Sequence, residues 1–135
     1  MKDLMDVLER VEKILCELRE RPENSIILVE GKKDVEALHD LDIYGEIIKI
    51  QDSRKSVFTL VESIASQNKE VYILTDWDRK GGQLASLLRN ALRANDIPYN
   101  EKVRVELSKL CKSEIKDVES LPSYLSLLKS RIYGQ

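Results

Sequence analysis

The chain predicts an α/β fold: a mainly parallel sheet of about four strands, flanked by helices, with an extra helix at the N-terminus. Two observations carry this. Short, continuous apolar runs at 25–29, 46–50 and 71–75 suit strands buried on both faces, as in a parallel sheet. Between these runs lie segments of helical periodicity, and strands that alternate with helices imply crossover connections.

The N-terminal helix is read from Leu4, Val7, Leu8, Val11, Ile14, Leu15 and Leu18, which recur at spacings of three and four. Arg21-Pro22-Glu23-Asn24 ends it. Its apolar face predicts packing on the core; the alternative is a docking face for a protein partner or a second copy of the chain. Cys16 falls within this pattern and is expected to be a small core residue. After the first strand, Glu30-Gly31 turns the chain into a helix over about 32–41. A strand at 46–50 and a helix at 57–66 follow, the helix with Val57, Leu60, Val61 and Ile64 on one face. The strand at 71–75 leads through Gly81-Gly82 into a helix over about 83–94. Ile97-Pro98-Tyr99 starts a short edge strand, 103–110 and 123–131 read as helices, and 115–121 reads as strand or loop. No repeat or linker divides the sequence. Residues 1–135 are therefore expected to form one domain, with the N-terminal helix at 1–21, a motif-bearing core at 25–95 and a C-terminal part at 96–135.

A length of 135 residues is enough to bury a core. With 34% charged residues and a net charge of −2, overall charge gives no pull toward nucleic acid or membrane, so anion binding must come from local arrangement. One His and two Cys outside any CxxC pair leave little for zinc. The sequence has no apolar run long enough to span a bilayer, and the first six residues mix charge with apolar side chains. A cytoplasmic location and no membrane partner are expected.

Ligands of open parallel sheets bind beyond the carboxyl ends of the strands. Those ends carry Glu30-Gly31-Lys32-Lys33-Asp34, Gln51-Asp52-Ser53-Arg54-Lys55-Ser56 and Asp76-Trp77-Asp78-Arg79-Lys80-Gly81-Gly82. Asp76 and Asp78 stand two apart, so in extended chain they share a face while Trp77 points away to pack beneath the loop. Glu30 lies at the matching end of another strand. Three carboxylates brought together repel unless a cation sits among them. Oxygen ligands without His or Cys indicate Mg²⁺, or Mn²⁺, rather than zinc. The basic pairs Lys32-Lys33, Arg54-Lys55 and Arg79-Lys80 form a rim suited to phosphates. Gly31, Gly81 and Gly82 open helices whose N-termini favour anions. Lys116-Asp117-Val118-Glu119 either adds carboxylates or forms a solvated turn, and the turn is the expectation. His39 is expected on a helix surface.

Together these residues resemble the Toprim family of topoisomerases, bacterial-type primases and related nucleases. Val29-Glu30-Gly31-Lys32-Lys33-Asp34 resembles its first motif, a Glu ending a hydrophobic strand. Ile73-Leu74-Thr75-Asp76-Trp77-Asp78-Arg79-Lys80-Gly81 resembles its second, an apolar strand ending in DxD with glycine soon after. The resemblance covers roughly 25–94, and a closer likeness to small primase-like Toprim proteins of archaea extends it through Glu119. It implies a Rossmann-like Toprim fold, metal ligation by Glu30, Asp76 and Asp78, and a general acid/base role for Glu30. Phosphate contacts at Lys32 and Arg79 rest on charge alone. The machinery of a whole topoisomerase or primase has no counterpart in the sequence.

The leading expectation is a Mg²⁺-dependent enzyme of nucleic-acid phosphodiesters, a nuclease on RNA or DNA. The alternative is a non-catalytic metal- and nucleic-acid-binding subunit of a larger complex. A phosphatase fits poorly, because the DxD follows the third strand and not the first, and a phospho-receiver fits poorly, because it needs an isolated acceptor Asp and a later strand-end Lys.

Overall fold

The computed structural model describes residues 3–50 and 54–134, with the backbone alone for residues 54 and 55. Ten elements follow one another: α1 (Leu4–Arg19), β1 (Ser25–Val29), α2 (Lys32–Asp40), β2 (Ile47–Lys49), α3 (Arg54–Ala65), β3 (Glu70–Ile73), α4 (Arg79–Ala94), β4 (Tyr99–Asn100), α5 (Lys102–Cys111) and α6 (Leu121–Tyr133). The four strands lie in the order β2-β1-β3-β4, every pair parallel. The strands predicted at 46–50 and 71–75 are longer than these bounds, yet their ends are hydrogen-bonded into the ladder. Ile27 donates to the Glu46 carbonyl, Ile50 to that of Val29, and Leu74 to that of Leu28.

β1 is buried at every position, because helices cover both faces of the sheet. Its side chains alternate between two cores. Ile26 and Leu28 join Val71 and Ile73 beneath α3 and α4. Ile27 and Val29 join Tyr72 and Leu74 beneath α1, α2, α5 and α6. The alternation follows from the two-residue period of a strand. The chain runs from β1 to β2 on one side and then crosses to β3 on the other. The point where direction reverses lies between β1 and β3, and ligands of open parallel sheets bind at the carboxyl ends of such strands.

α1 starts on Asp3, whose carboxylate accepts the Met5 amide at 3.0 Å. Its apolar stripe, from Val7 to Leu18, is buried against α5 and α6. The stripe therefore packs on the core, as expected, against the chain's own C-terminal helices. Cys16 corrects an expectation: it is exposed, and the buried thiol is Cys111 on α5. Leu15 and Leu18 already fill the core-facing stripe, so position 16 turns onto the flank facing a groove toward α5. Residues 115–120 form no strand; they are turns leading into α6.

Leu15 is fully buried. Leu15→Ala should therefore cost about 2–5 kcal/mol, seen as a lower urea midpoint at unchanged slope. A loss below about 0.5 kcal/mol would mean that α1 does not share the core.

Candidate metal and phosphate site

The carboxyl ends of β1 and β3 meet through one hydrogen bond. Glu30 follows β1 directly, and its Oε2 accepts the backbone N–H of Asp76 at 2.7 Å. The first acid of the DxD is thus fixed to the strand-end glutamate across the reversal point. The Asp76 carboxylate is itself held, since its Oδ1 accepts the Val118 amide at 3.0 Å. Glu30 Oε1 and Asp76 Oδ2 carry no hydrogen bond among the described residues.

The middle residue of the DxD turns inward. Trp77 packs against the α1-side core, its indole N–H donates to the Ile115 carbonyl at 2.7 Å, and its amide donates to the Lys116 carbonyl at 2.9 Å. With the Val118 bond, these ties draw the 115–118 segment onto the strand end. That segment is not the solvated turn the sequence suggested, because Val118 is fully buried and its backbone holds Asp76.

Asp78 goes elsewhere. Its backbone is extended, it is the N-cap of α4, and its Oδ1 accepts the Gly81 amide at 2.7 Å. Among the described residues, no group of three or more His, Cys, Asp or Glu is arranged to hold a metal ion. The structure joins Glu30 to Asp76 and sets Asp78 on an exposed turn as a helix cap. Asp34, quoted in the first motif without a role, is also a cap: its Oδ2 accepts the Gly31 amide at 3.0 Å from a buried position. Both helix N-termini expected to attract anions therefore already hold a carboxylate of the chain.

Gly81 is a glycine for steric reasons. A Cβ there would lie 1.9 Å from the Asp76 carbonyl oxygen, while the Thr75 hydroxyl donates to the Gly81 carbonyl at 2.8 Å. The β3–α4 turn closes only because that Cβ is missing. A Cβ on Gly82 would meet nothing nearer than Arg104, at 3.8 Å.

The acids around Asp76 are numerous. Burial is the main cause that lifts its carboxyl to about 7; the Val118 amide opposes the shift, and Asp34, Glu30 and Asp117 add to it. Asp34 is also raised, first by burial and then, against the pull of the Gly31 amide, by Glu30, Glu119 and Asp117. Of the expected basic rim, Lys33 reaches Glu119 at 3.9 Å, both side chains largely exposed, so the pair adds little stability. Lys32, Arg79 and Lys80 are exposed on the first turns of α2 and α4. The side chains of Arg54 and Lys55, and residues 51–53, lie outside the described residues. One further cation had no signal in the sequence: Arg104 of α5 donates from Nε to the Thr75 carbonyl at 3.1 Å and from Nη2 to that of Asp76 at 2.8 Å.

The donor set suits a hard divalent cation. Mg²⁺ commonly binds through one or two carboxylates, keeping waters and phosphate oxygens for its other positions. Glu30 and Asp76, with oxygens to spare, match that habit.

A model of the Toprim domain matches residues 25–110. The chain belongs to the Toprim domain family. The match runs past residue 95, where the motif core was expected to end, and takes in α5 with Arg104. Toprim domains typically bind a divalent metal, and the family points to a nucleic-acid-related function. The chain is 41% identical over 92% of its length to a UPF0292 protein of Methanosarcina acetivorans, covering 85% of it. It is 36% identical over 89% of its length to a UPF0292 protein of Methanocaldococcus jannaschii, covering 90% of it. Among solved structures, a putative protein from Aquifex aeolicus superposes with a TM-score of 0.67 at 25% identity, over 80% of this chain and 94% of that one. No helix among the described residues of this Toprim protein is long and apolar enough to cross a membrane.

Two outcomes follow from this geometry. Gly81→Ala should lower the melting temperature sharply and loosen the β3–α4 turn, whereas Gly82→Ala should stabilise by about 0.5–1 kcal/mol through helix propensity; thermal melts of both check this. The second concerns pH. Asp76 binds its proton more tightly in the folded state than in the unfolded chain, whose value lies near 4. The penalty for ionising it is absent below about pH 4, grows as pH rises, and is complete above about 7. Without metal, Asp76→Asn should melt above wild type at pH 8, with the difference vanishing by about pH 4.

Proposed function

We propose that this Toprim protein is a Mg²⁺-dependent enzyme that cuts nucleic-acid phosphodiesters. The observation that carries the reading is the Glu30–Asp76 junction at the reversal point of the sheet, set among acids that leave Asp76 short of compensating charge. A crowded, half-buried carboxylate needs a cation or a proton. In this reading Glu30 and Asp76 would hold Mg²⁺, and Asp78 would complete the set through water or by leaving its cap. Mn²⁺ would satisfy the same ligands. Bound there, the ion supplies charge neutralisation at a phosphate and a more acidic water.

The chain's own groups do the remaining work. Glu30 takes or returns a proton at Oε1. The Val118 amide keeps Asp76 Oδ1 occupied, so that one oxygen faces the ligand. Lys32, Lys33, Arg54, Lys55, Arg79 and Lys80 meet flanking phosphates of RNA or DNA, a contribution that weakens with salt.

A cleavage panel tests the reading: end-labelled single- and double-stranded RNA and DNA with Mg²⁺, Mn²⁺ or chelator. Glu30→Gln and Asp76→Asn should each reduce metal-dependent cleavage by about 100-fold with unchanged circular dichroism. Folded variants with full activity would sink the assignment. If wild type cuts nothing, yet Mg²⁺ raises its melting temperature and that of neither variant, the protein is the non-catalytic metal- and nucleic-acid-binding subunit instead.

A further inference from the structure

We propose that Arg104 is a preset phosphate anchor, offering its free guanidinium edge to a phosphate oxygen beside the Glu30–Asp76 pair. The ligand class rests on the function proposed above; the anchor itself is argued from the geometry of the arginine.

A guanidinium carries five N–H donors in a rigid fork. Two are spent on backbone carbonyls at the end of β3, Thr75 at 3.1 Å and Asp76 at 2.8 Å. These bonds fix the plane and position of the group. Nη1 has no hydrogen bond among the described residues. Nor does Arg104 make an ion pair among them, although an acid stands near it. Glu101 is already taken by Arg89, whose Nη1 donates to both carboxylate oxygens at 2.9 and 2.8 Å. Arg89 is braced in turn by Ser86 at 2.9 Å. The arrangement keeps the neighbouring acid occupied and leaves Arg104 half-buried without a direct partner.

A charged group in that position costs stability unless something pairs with it. After burial, Glu101 acts on it most strongly, then Glu30 and Asp76, and none of the three is at ion-pair distance among the described residues. The other donors near the site are less suited. The N-termini of α2 and α4 each already carry a carboxylate of the chain, Asp34 on the Gly31 amide and Asp78 on that of Gly81, and Lys33 leans on Glu119. Lys32 and Arg79 are exposed side chains that must be ordered on binding. Arg104 is already ordered, and its fork matches the edge of a phosphate. A cation bound by the carboxylates and a guanidinium beside them would grip one phosphate from two sides.

The test compares wild type, Arg104→Gln and Arg104→Lys with two probes: a short fluorescent single strand, with Ca²⁺ in place of Mg²⁺ to keep it intact, and inorganic pyrophosphate with Mg²⁺, followed by ³¹P line broadening. Arg104→Gln should bind both probes about tenfold more weakly, and its plot of log affinity against log salt should be shallower by about 0.7, the loss of one phosphate contact on a single strand. Arg104→Lys should keep the slope and lose part of the affinity, since it keeps the charge and lacks the fork. An arginine that only pins the β3 carbonyls would give a lower melting temperature with affinity and slope unchanged, and that result overturns the proposal while leaving the proposed function standing. Pyrophosphate binding that depends on Arg104, in a protein that ignores the strand, upholds the anchor and sinks the nucleic-acid reading. If wild type binds neither probe, both fall. Should Arg104→Gln fail to fold, Arg104→Lys decides alone: undiminished affinity for pyrophosphate overturns the anchor.

Discussion

The site depends on a single hydrogen bond across the sheet, from the Asp76 amide to Glu30 Oε2. It joins two strand ends that are 46 residues apart in sequence but adjacent in space. Parallel strands cannot exchange a tight turn, so a long crossover must separate them. The bond fixes the backbone of one acid to the side chain of the other. Whatever binds there meets two carboxylates whose relative position is set before it arrives. The cost is electrostatic, since the pair is partly buried with Asp34, Asp117 and Glu119 close by.

The surrounding structure manages that cost with backbone groups more than with countercharge. Val118 lends an amide to Asp76, Gly31 lends one to Asp34, and Gly81 lends one to Asp78. Each amide is a fixed dipole that stabilises the ionised acid without cancelling its charge. Arg104, the cation in reach, spends its bonds on carbonyls and not on carboxylates. The result is an acidic centre braced by backbone amides with carboxylate oxygens left over, the feature on which the proposed metal and phosphate ligands rest.

The C-terminal third has a part in this that its sequence hides. α6 and the 115–118 segment look like an appendage, yet they bury α1 and close over Trp77. α1 would otherwise present an apolar stripe to solvent, and the indole would lose its polar partner. The first and last helices of the chain are thereby packed into the same core as the DxD loop. Stability of the termini and order at the site are physically linked, since loosening α6 would free the segment that holds Asp76.

The sheet was legible because its signals are local and strong: five apolar residues in a row at β1, flanked by helical periods, leave few alternatives to a buried parallel strand. Glu30 and Asp76 were legible for the same reason, as acids placed where apolar strands stop. The capping role of Asp78 was not legible, because alternation along an extended chain ends where a helix begins, and an unpaired amide of α4 takes up one of its carboxylate oxygens. Cys16 was misassigned because an apolar-looking position beside the stripe is decided by which neighbours have already filled the core. Val118 and Arg104 gave no signal, since a backbone amide has no letter in the sequence and an arginine on a helix reads as surface. The sequence by itself determined the elements, their alternation and the two acids at the strand ends, all consequences of short-range patterning. Only the tertiary structure decided which acids meet across the strand ends, which one caps α4, and that Arg104 binds the carbonyls beside them, because those assignments depend on through-space competition for a few polar groups.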